Sequence, residues 1–128
     1  MKYLLDTHSL IWFIEGNLQL SVHARQVIDN EGNELFISIA SLWEMAIKFS
    51  ISKLDLGQPF ESLFPAQLEH NSIEILGITV EHLKAVCNLP FYHRDPFDRL
   101  IIAQAQVEQL PIISLDKIFD SYGVKREW

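Results

Sequence analysis

"KYLLDTHSLIWFIEG", residues 2–16, changes its pattern at an acid. Residues 2–5 are a short apolar run, the mark of a strand buried on both faces. The run stops at Asp6. From Thr7 the stretch reads as a helix that ends at Gly16, a residue suited to the left-handed C-cap. Strand, acid and helix follow one another without a linker.

The same alternation continues along the chain. "LSVHARQVIDNEG" predicts a helix with Ser21 as N-cap that closes near Gly32. "ELFISI" (34–39) predicts a strand, "ASLWEMAIKFSIS" (40–52) a helix and "KLDLGQP" a loop. "FESLFPAQLEHN" (60–71) predicts a helix that accommodates Pro65, "SIEILGI" (72–78) a strand, and "TVEHLKAVCNL" (79–89) a helix capped by Thr79. After the loop "PFYHRD" comes a further helix. "LPIISLD" (110–116) is then a strand ending, like the first, in aspartate, and "KIFDSYGVKREW" holds a short helical turn and a small final strand. Such alternation predicts the α/β class: a central, mainly parallel sheet with helices on both faces, in three layers α/β/α. No repeat or linker divides the chain, so residues 1–128 are expected to form a single domain.

The helix that follows "PFYHRD" carries two acids at its head. In "HRDPFDRLIIAQAQ" (93–106), Phe97, Leu100, Ile101 and Ala105 take the i, i+3, i+4, i+8 spacing of one buried face. Pro96 suits the first helical position, where its missing N–H is no loss. Asp95 is then the N-cap and Asp98 the third helical residue, each favoured there by roughly 0.5–2 kcal/mol at most. Capping is a sufficient account of Asp95; the account of Asp98 depends on the rest of the chain.

Composition narrows the classes. With 48% hydrophobic residues the chain can bury a core. Cys87 is the one cysteine, so no disulfide framework and no cysteine metal site is expected, and a reducing, cytoplasmic setting fits. The apolar start is interrupted by Asp6 and His8, unlike a signal peptide, and no run approaches the ~20 residues of a membrane span. A net charge of −7 argues against a protein that coats nucleic acid through a basic surface. It leaves room for an enzyme that meets phosphates through bound cations.

The acids fall where such a site would lie. In open parallel sheets, ligands bind at the carboxyl ends of the strands. Asp6 and Asp116 end apolar runs and are expected on that rim. Glu44 lies early in the helix after "ELFISI", and Asp98 early in the helix leading to "PIISLD". Each also has a structural explanation. Asp6 and Asp116 can cap helices, and Ser41 with Glu44 fits an S-x-x-E capping box. Glu44 can pair with Lys48 at i, i+4 for ~0.2–0.5 kcal/mol. Gathered together, four carboxylates repel unless a cation compensates them. All-oxygen donors suit Mg²⁺ or Mn²⁺, which can activate a water for attack on a phosphodiester.

With "LLDTHSLIWFIEG", "ISIASLWEMAIK", "HRDPFDRLIIAQA" and "PIISLD" in this order, the chain resembles the PIN-domain family of metal-dependent ribonucleases, most of all the VapC-type toxins of type II toxin–antitoxin pairs. The resemblance runs from end to end. It implies an acidic quartet of Asp6, Glu44, Asp98 and Asp116 that holds Mg²⁺ or Mn²⁺ and hydrolyses RNA. Asp98 takes the third place because it stands five residues before Ala103. Ser114 is the hydroxyl beside the last acid. The resemblance further implies a homodimer and a VapB-type antitoxin whose C-terminal segment covers the groove, with Trp12, Phe13 and Trp43 as its apolar lining or as ordinary core.

Other residues are weighed beside these. His8 can approach the site or simply occupy a helical turn. His93 lies in the loop before Asp98. Arg94 and Arg99 can contact phosphate or pair with a neighbouring acid. Lys48 is expected to position an acid, and His23, His70 and His82 to lie on the surface. Two other functions compete: a metal-dependent phosphatase, although Asp6 lacks the D-x-D partner of the aspartyl-phosphate enzymes, and a non-catalytic α/β interaction module whose acids are only caps.

Overall fold

β1 (Lys2–Leu5) lies in the middle of a five-stranded sheet. Its neighbours are β2 (Glu34–Ser38) and β4 (Ile112–Ile113), with β3 (Ile73–Leu76) and β5 (Arg126–Glu127) at the edges. Every pairing is parallel. Leu4 sits opposite Phe36 on one side and Ile112 on the other; Leu5 sits opposite Ile37 and Ile113. The computed structural model describes residues 1–128.

The pleat sorts side chains onto two faces. Tyr3, Leu5, Leu35, Ile37 and Ile113 enter one core, which is closed by α1 (Thr7–Glu15), α2 (Val22–Asp29), α3 (Ile39–Ser50), α4 (Phe60–Leu63) and α5 (Ala66–His70). Leu4 and Ile112 enter the other, which is closed by α6 (Val80–Cys87) and α7 (Pro96–Glu108). The strands read as unbroken apolar runs because helices cover both sides of the sheet. The expected three-layer α/β/α arrangement is therefore present. No helix is long and apolar enough to cross a membrane.

Local signals set most boundaries. Asp6, Ser21, Thr79 and Asp95 are the N-caps of α1, α2, α6 and α7, each accepting a backbone N–H with its side chain. Gly16 ends α1 at φ 65°, a left-handed conformation open to glycine at no steric cost.

Several expectations are corrected. Residues 60–71 form two short helices, α4 and α5, because Pro65 has no N–H to continue a helical ladder. β4 has two residues, so Asp116 does not end it; Asp116 instead caps a 3-10 turn over Lys117–Tyr122. Ser41 and Glu44 make no capping box, because α3 begins at Ile39 with Ser38 as its cap; a reciprocal box is made by Thr79 and His82. His82 is wholly buried rather than on the surface, accepting from the Thr79 N–H at Nδ1 and lying 2.9 Å from Glu108 Oε1 at Nε2. In α7 every residue from Ile101 to Ala105 is buried, whereas Phe97 and Leu100 are only half-buried. A helix wedged between a sheet and another helix is buried all round, and one stripe underestimates it.

Candidate metal centre at the carboxyl ends of the strands

β1 delivers Asp6 to the rim of the sheet, where it is buried at the N-terminus of α1. Its Oδ1 accepts the Ser9 N–H at 2.9 Å. Its Oδ2 accepts the Ser114 hydroxyl at 2.6 Å. Ser114 Oγ also accepts the Asp116 N–H at 3.0 Å, so one buried hydroxyl links two of the predicted acids.

α7 brings Asp98 to the same rim. Asp95 Oδ1 takes the N–H groups of Phe97 and Asp98 at 2.8 and 3.0 Å, which completes the cap and leaves the Asp98 carboxylate free of that task. Asp98 Oδ2 lies 3.1 Å from His93 Nε2, and Asp116 Oδ2 lies 3.0 Å from the same nitrogen. His93 Nδ1 accepts the Asp95 N–H at 3.3 Å. That bond assigns the remaining ring proton to Nε2, where it is shared between the two carboxylates. Sequence reasoning gave His93 no role; its place between Asp98 and Asp116 has no spacing signal, because it depends on how a loop turns back.

Glu44 is buried beside this group on α3. Its Oε2 accepts from Lys48 Nζ at 2.8 Å, so Lys48 does hold an acid in place. Its Oε1 accepts the Thr7 hydroxyl at 3.0 Å. Thr7 has one hydroxyl proton and gives it to the carboxylate, so Ser41, 2.9 Å away, donates to Thr7 in turn.

Electrostatics mark the cluster as short of positive charge. Burial raises the Asp6 carboxyl above its usual range, against the bonds from Ser114 and Ser9. Asp98 is pushed up to about 7, first by burial and then by the charge of Asp95, with Asp6 and Glu44 adding to the rise and His93 opposing it. Asp98 therefore senses both Asp6 and Glu44. His93, Asp98 and Asp116 present donor atoms within 4.8 Å of one another. Hard oxygen donors held together against their own repulsion fit a divalent cation. A groove of about 210 Å³ lined by Asp6, His8, Trp12, Leu115 and Asp116 opens beside them.

The two arginines separate. Arg99 is 7% exposed and turned inward, donating to the carbonyls of Val86, Leu89, Pro90 and His93 at 2.9–3.4 Å. It cannot reach a phosphate at the rim. Arg94 is exposed, and the ion pairs of its loop run through His93 instead. Trp43 is 60% exposed, while Trp12 and Phe13 are half-buried.

A sequence model of the PIN domain matches residues 3–125. The chain belongs to the PIN-domain family. Solved structures similar to this PIN domain include VapBC2 from Rickettsia felis bound to a DNA fragment from their promoter, with TM-score 0.72 and 18% identity over 99% of this chain and 98% of that one. A toxin–antitoxin complex from Klebsiella pneumoniae has TM-score 0.62 and 20% identity over 91% and 89% of the two chains. FitAcB from Neisseria gonorrhoeae has TM-score 0.62 and 16% identity over 98% and 96%. At these identities the likeness is one of fold. No curated protein matches the chain. PIN domains are typically nucleases that use divalent metals, in keeping with the acids at this rim.

Proposed function

We propose that residues 1–128 are one PIN domain acting as a Mg²⁺- or Mn²⁺-dependent endoribonuclease, the VapC-type toxin of a toxin–antitoxin pair. The observation that carries this reading is the meeting of Asp98 and Asp116 at one nitrogen of His93, with Asp6 joined to Asp116 through Ser114. Asp6, Asp98 and Asp116 would hold the cation, and Glu44 would complete the negative field. When bound, the ion supplies a more acidic water and screens the charge of the phosphodiester.

The chain's own groups do the rest. Ser114 orients the Asp6 carboxylate. Lys48 and Thr7 fix Glu44. Asp98 would lose its proton on cation binding, because a cation would offset the burial and the neighbouring carboxylates that hold that proton. Arg94 contacts the substrate backbone.

The solved structures with this fold include complexes of a toxin with an antitoxin, which supports a VapB-type antitoxin as partner here. A chain of net charge −7 leaves promoter binding to that partner. Trp43, Trp12 and Phe13 offer apolar surface to its segment. We place the protein in the cytoplasm and infer a homodimer.

Calorimetric titration of Mn²⁺ into antitoxin-free protein tests the centre. Saturable binding is expected for the wild type and not for the folded Asp6→Asn/Asp98→Asn double variant. RNA hydrolysis should follow the same pattern. Hydrolysis at the wild-type rate by either single variant, at equal metal, overturns the assignment.

A further inference from the structure

The loop between α6 and α7 is held unusually firmly for a short connection. Arg99 reaches out of α7 and donates to three of its carbonyls, those of Leu89, Pro90 and His93, and to Val86 O in the last turn of α6. The Tyr122 hydroxyl donates to Pro90 O at 2.7 Å and accepts the His93 N–H at 2.8 Å. So the backbone of residues 89–93 is fastened from beneath by two buried side chains.

This fastened loop turns two aromatic rings outward. Phe91 is 74% exposed and Tyr92 is 59% exposed. The Arg99 guanidinium carbon lies 4.0 Å from the Phe91 ring centroid and backs that ring. Tyr92 rests edge-on against Tyr122, with centroids 5.3 Å apart. Two residues beyond Phe91, His93 touches Asp98 and Asp116; two residues of chain span at most about 7 Å. Between His93 and the helix stands Arg94, an exposed cation in a chain of net charge −7.

A rigid, cation-backed ring with an adjacent free cation, one short step from carboxylates suited to phosphate chemistry, has the parts of a single-strand binding platform. An apolar protein contact needs no cation behind the ring and no free arginine beside it. We propose that Phe91, held by Arg99 and flanked by Tyr92 and Arg94, is the platform on which a base of single-stranded RNA stacks next to the phosphate that enters the acidic centre. This rests on the ribonuclease reading above and adds a preference to it: a purine favoured at the stacked position. Stacking uses the flat face of any base and is strongest for the larger rings.

Fluorescence anisotropy with short, labelled oligoadenylate and oligouridylate tests this with and without Mg²⁺, so that binding is read apart from cleavage. The wild type should bind oligoadenylate more tightly than oligouridylate. Phe91→Ala should weaken oligoadenylate binding roughly tenfold or more and erase the preference. Phe91→Trp should keep it, and Phe91→Leu, which is apolar but not flat, should not. Arg94→Gln should weaken both oligomers alike and lower the salt slope by about one. Oligoadenylate binding by Phe91→Ala at wild-type strength overturns the platform, as does full rescue by Leu, which marks an apolar protein contact, or failure of the wild type to bind either oligomer. Failure of the ribonuclease reading looks different: Asp98→Asn leaves hydrolysis unchanged while the Phe91 dependence of binding persists.

Discussion

Ser114 donates its hydroxyl to Asp6 Oδ2 across 2.6 Å, joining residues 108 positions apart. Ser114 Oγ in turn receives the Asp116 N–H. Removing it leaves a buried carboxylate with one fewer donor and frees the backbone that presents Asp116. Ser114→Ala should weaken Mn²⁺ binding about ten- to a hundredfold, the usual cost of losing a group that orients a ligand. Calorimetry at fixed pH checks this, and unchanged affinity removes Ser114 from the centre.

Asp98 gives the metal-free protein a pH dependence with a definite sign. Its carboxyl titrates near 3.8 in the unfolded chain and about 7 in the fold. Between those values the folded state keeps a proton that the unfolded state has lost, so stability falls as pH rises. The favourable contribution is complete below pH 3.8 and is lost as pH passes through about 7. Thermal unfolding in EDTA should show a lower Tm at pH 8 than at pH 5, and Asp98→Asn should be less steep and more stable at pH 8. An Asp98→Asn variant with the wild-type slope contradicts this.

Cation uptake should reverse that loss. At a hundred times the dissociation constant, Mn²⁺ should add about 2.7 kcal/mol of stability, and more tightly at pH 8 than at pH 6 because Asp98 must first release its proton. The Asp6→Asn/Asp98→Asn variant should show no such gain. Differential scanning calorimetry with and without Mn²⁺ measures both.

Arg99 should prove structural. Arg99→Ala removes four hydrogen bonds, and while Pro90 O keeps Tyr122 and Val86 O keeps the Leu89 N–H, the Leu89 and His93 carbonyls lose their donor; the cost expected in urea unfolding is about 3 kcal/mol or more. Arg99→Lys should recover less than half, since one ammonium cannot fork across those carbonyls. Amide exchange in residues 89–93 should rise in both. Wild-type stability in Arg99→Ala contradicts the structural role and returns Arg99 to the phosphate contact for which its guanidinium fork is suited.

The order of strands and helices was legible in the chain because each signal is local. Apolar runs mark strands covered on both faces. Asp6, Ser21, Thr79 and Asp95 stand before helices and cap them through bonds spanning two or three residues. Elsewhere local patterns misled. Ser41 and Glu44 have capping-box spacing, yet β2 runs directly into α3, and the cap falls to Ser38. His82 has no partner at helical spacing, a pattern that points to the surface, yet its partner Glu108 is 26 residues away.

What the sequence determined by itself was the class of fold, the caps, and the rim on which acids would gather, since these follow from periodicity and from bonds between near neighbours. Tertiary structure alone decided how the site is built. It set His93 between Asp98 and Asp116, placed Ser114 against Asp6, and turned Arg99 inward to fasten the loop that bears Phe91. The physical reason is that a charged or hydroxyl group goes wherever its buried partners lie, and those partners were brought together by the packing of α7 and the sheet rather than by their distance along the chain.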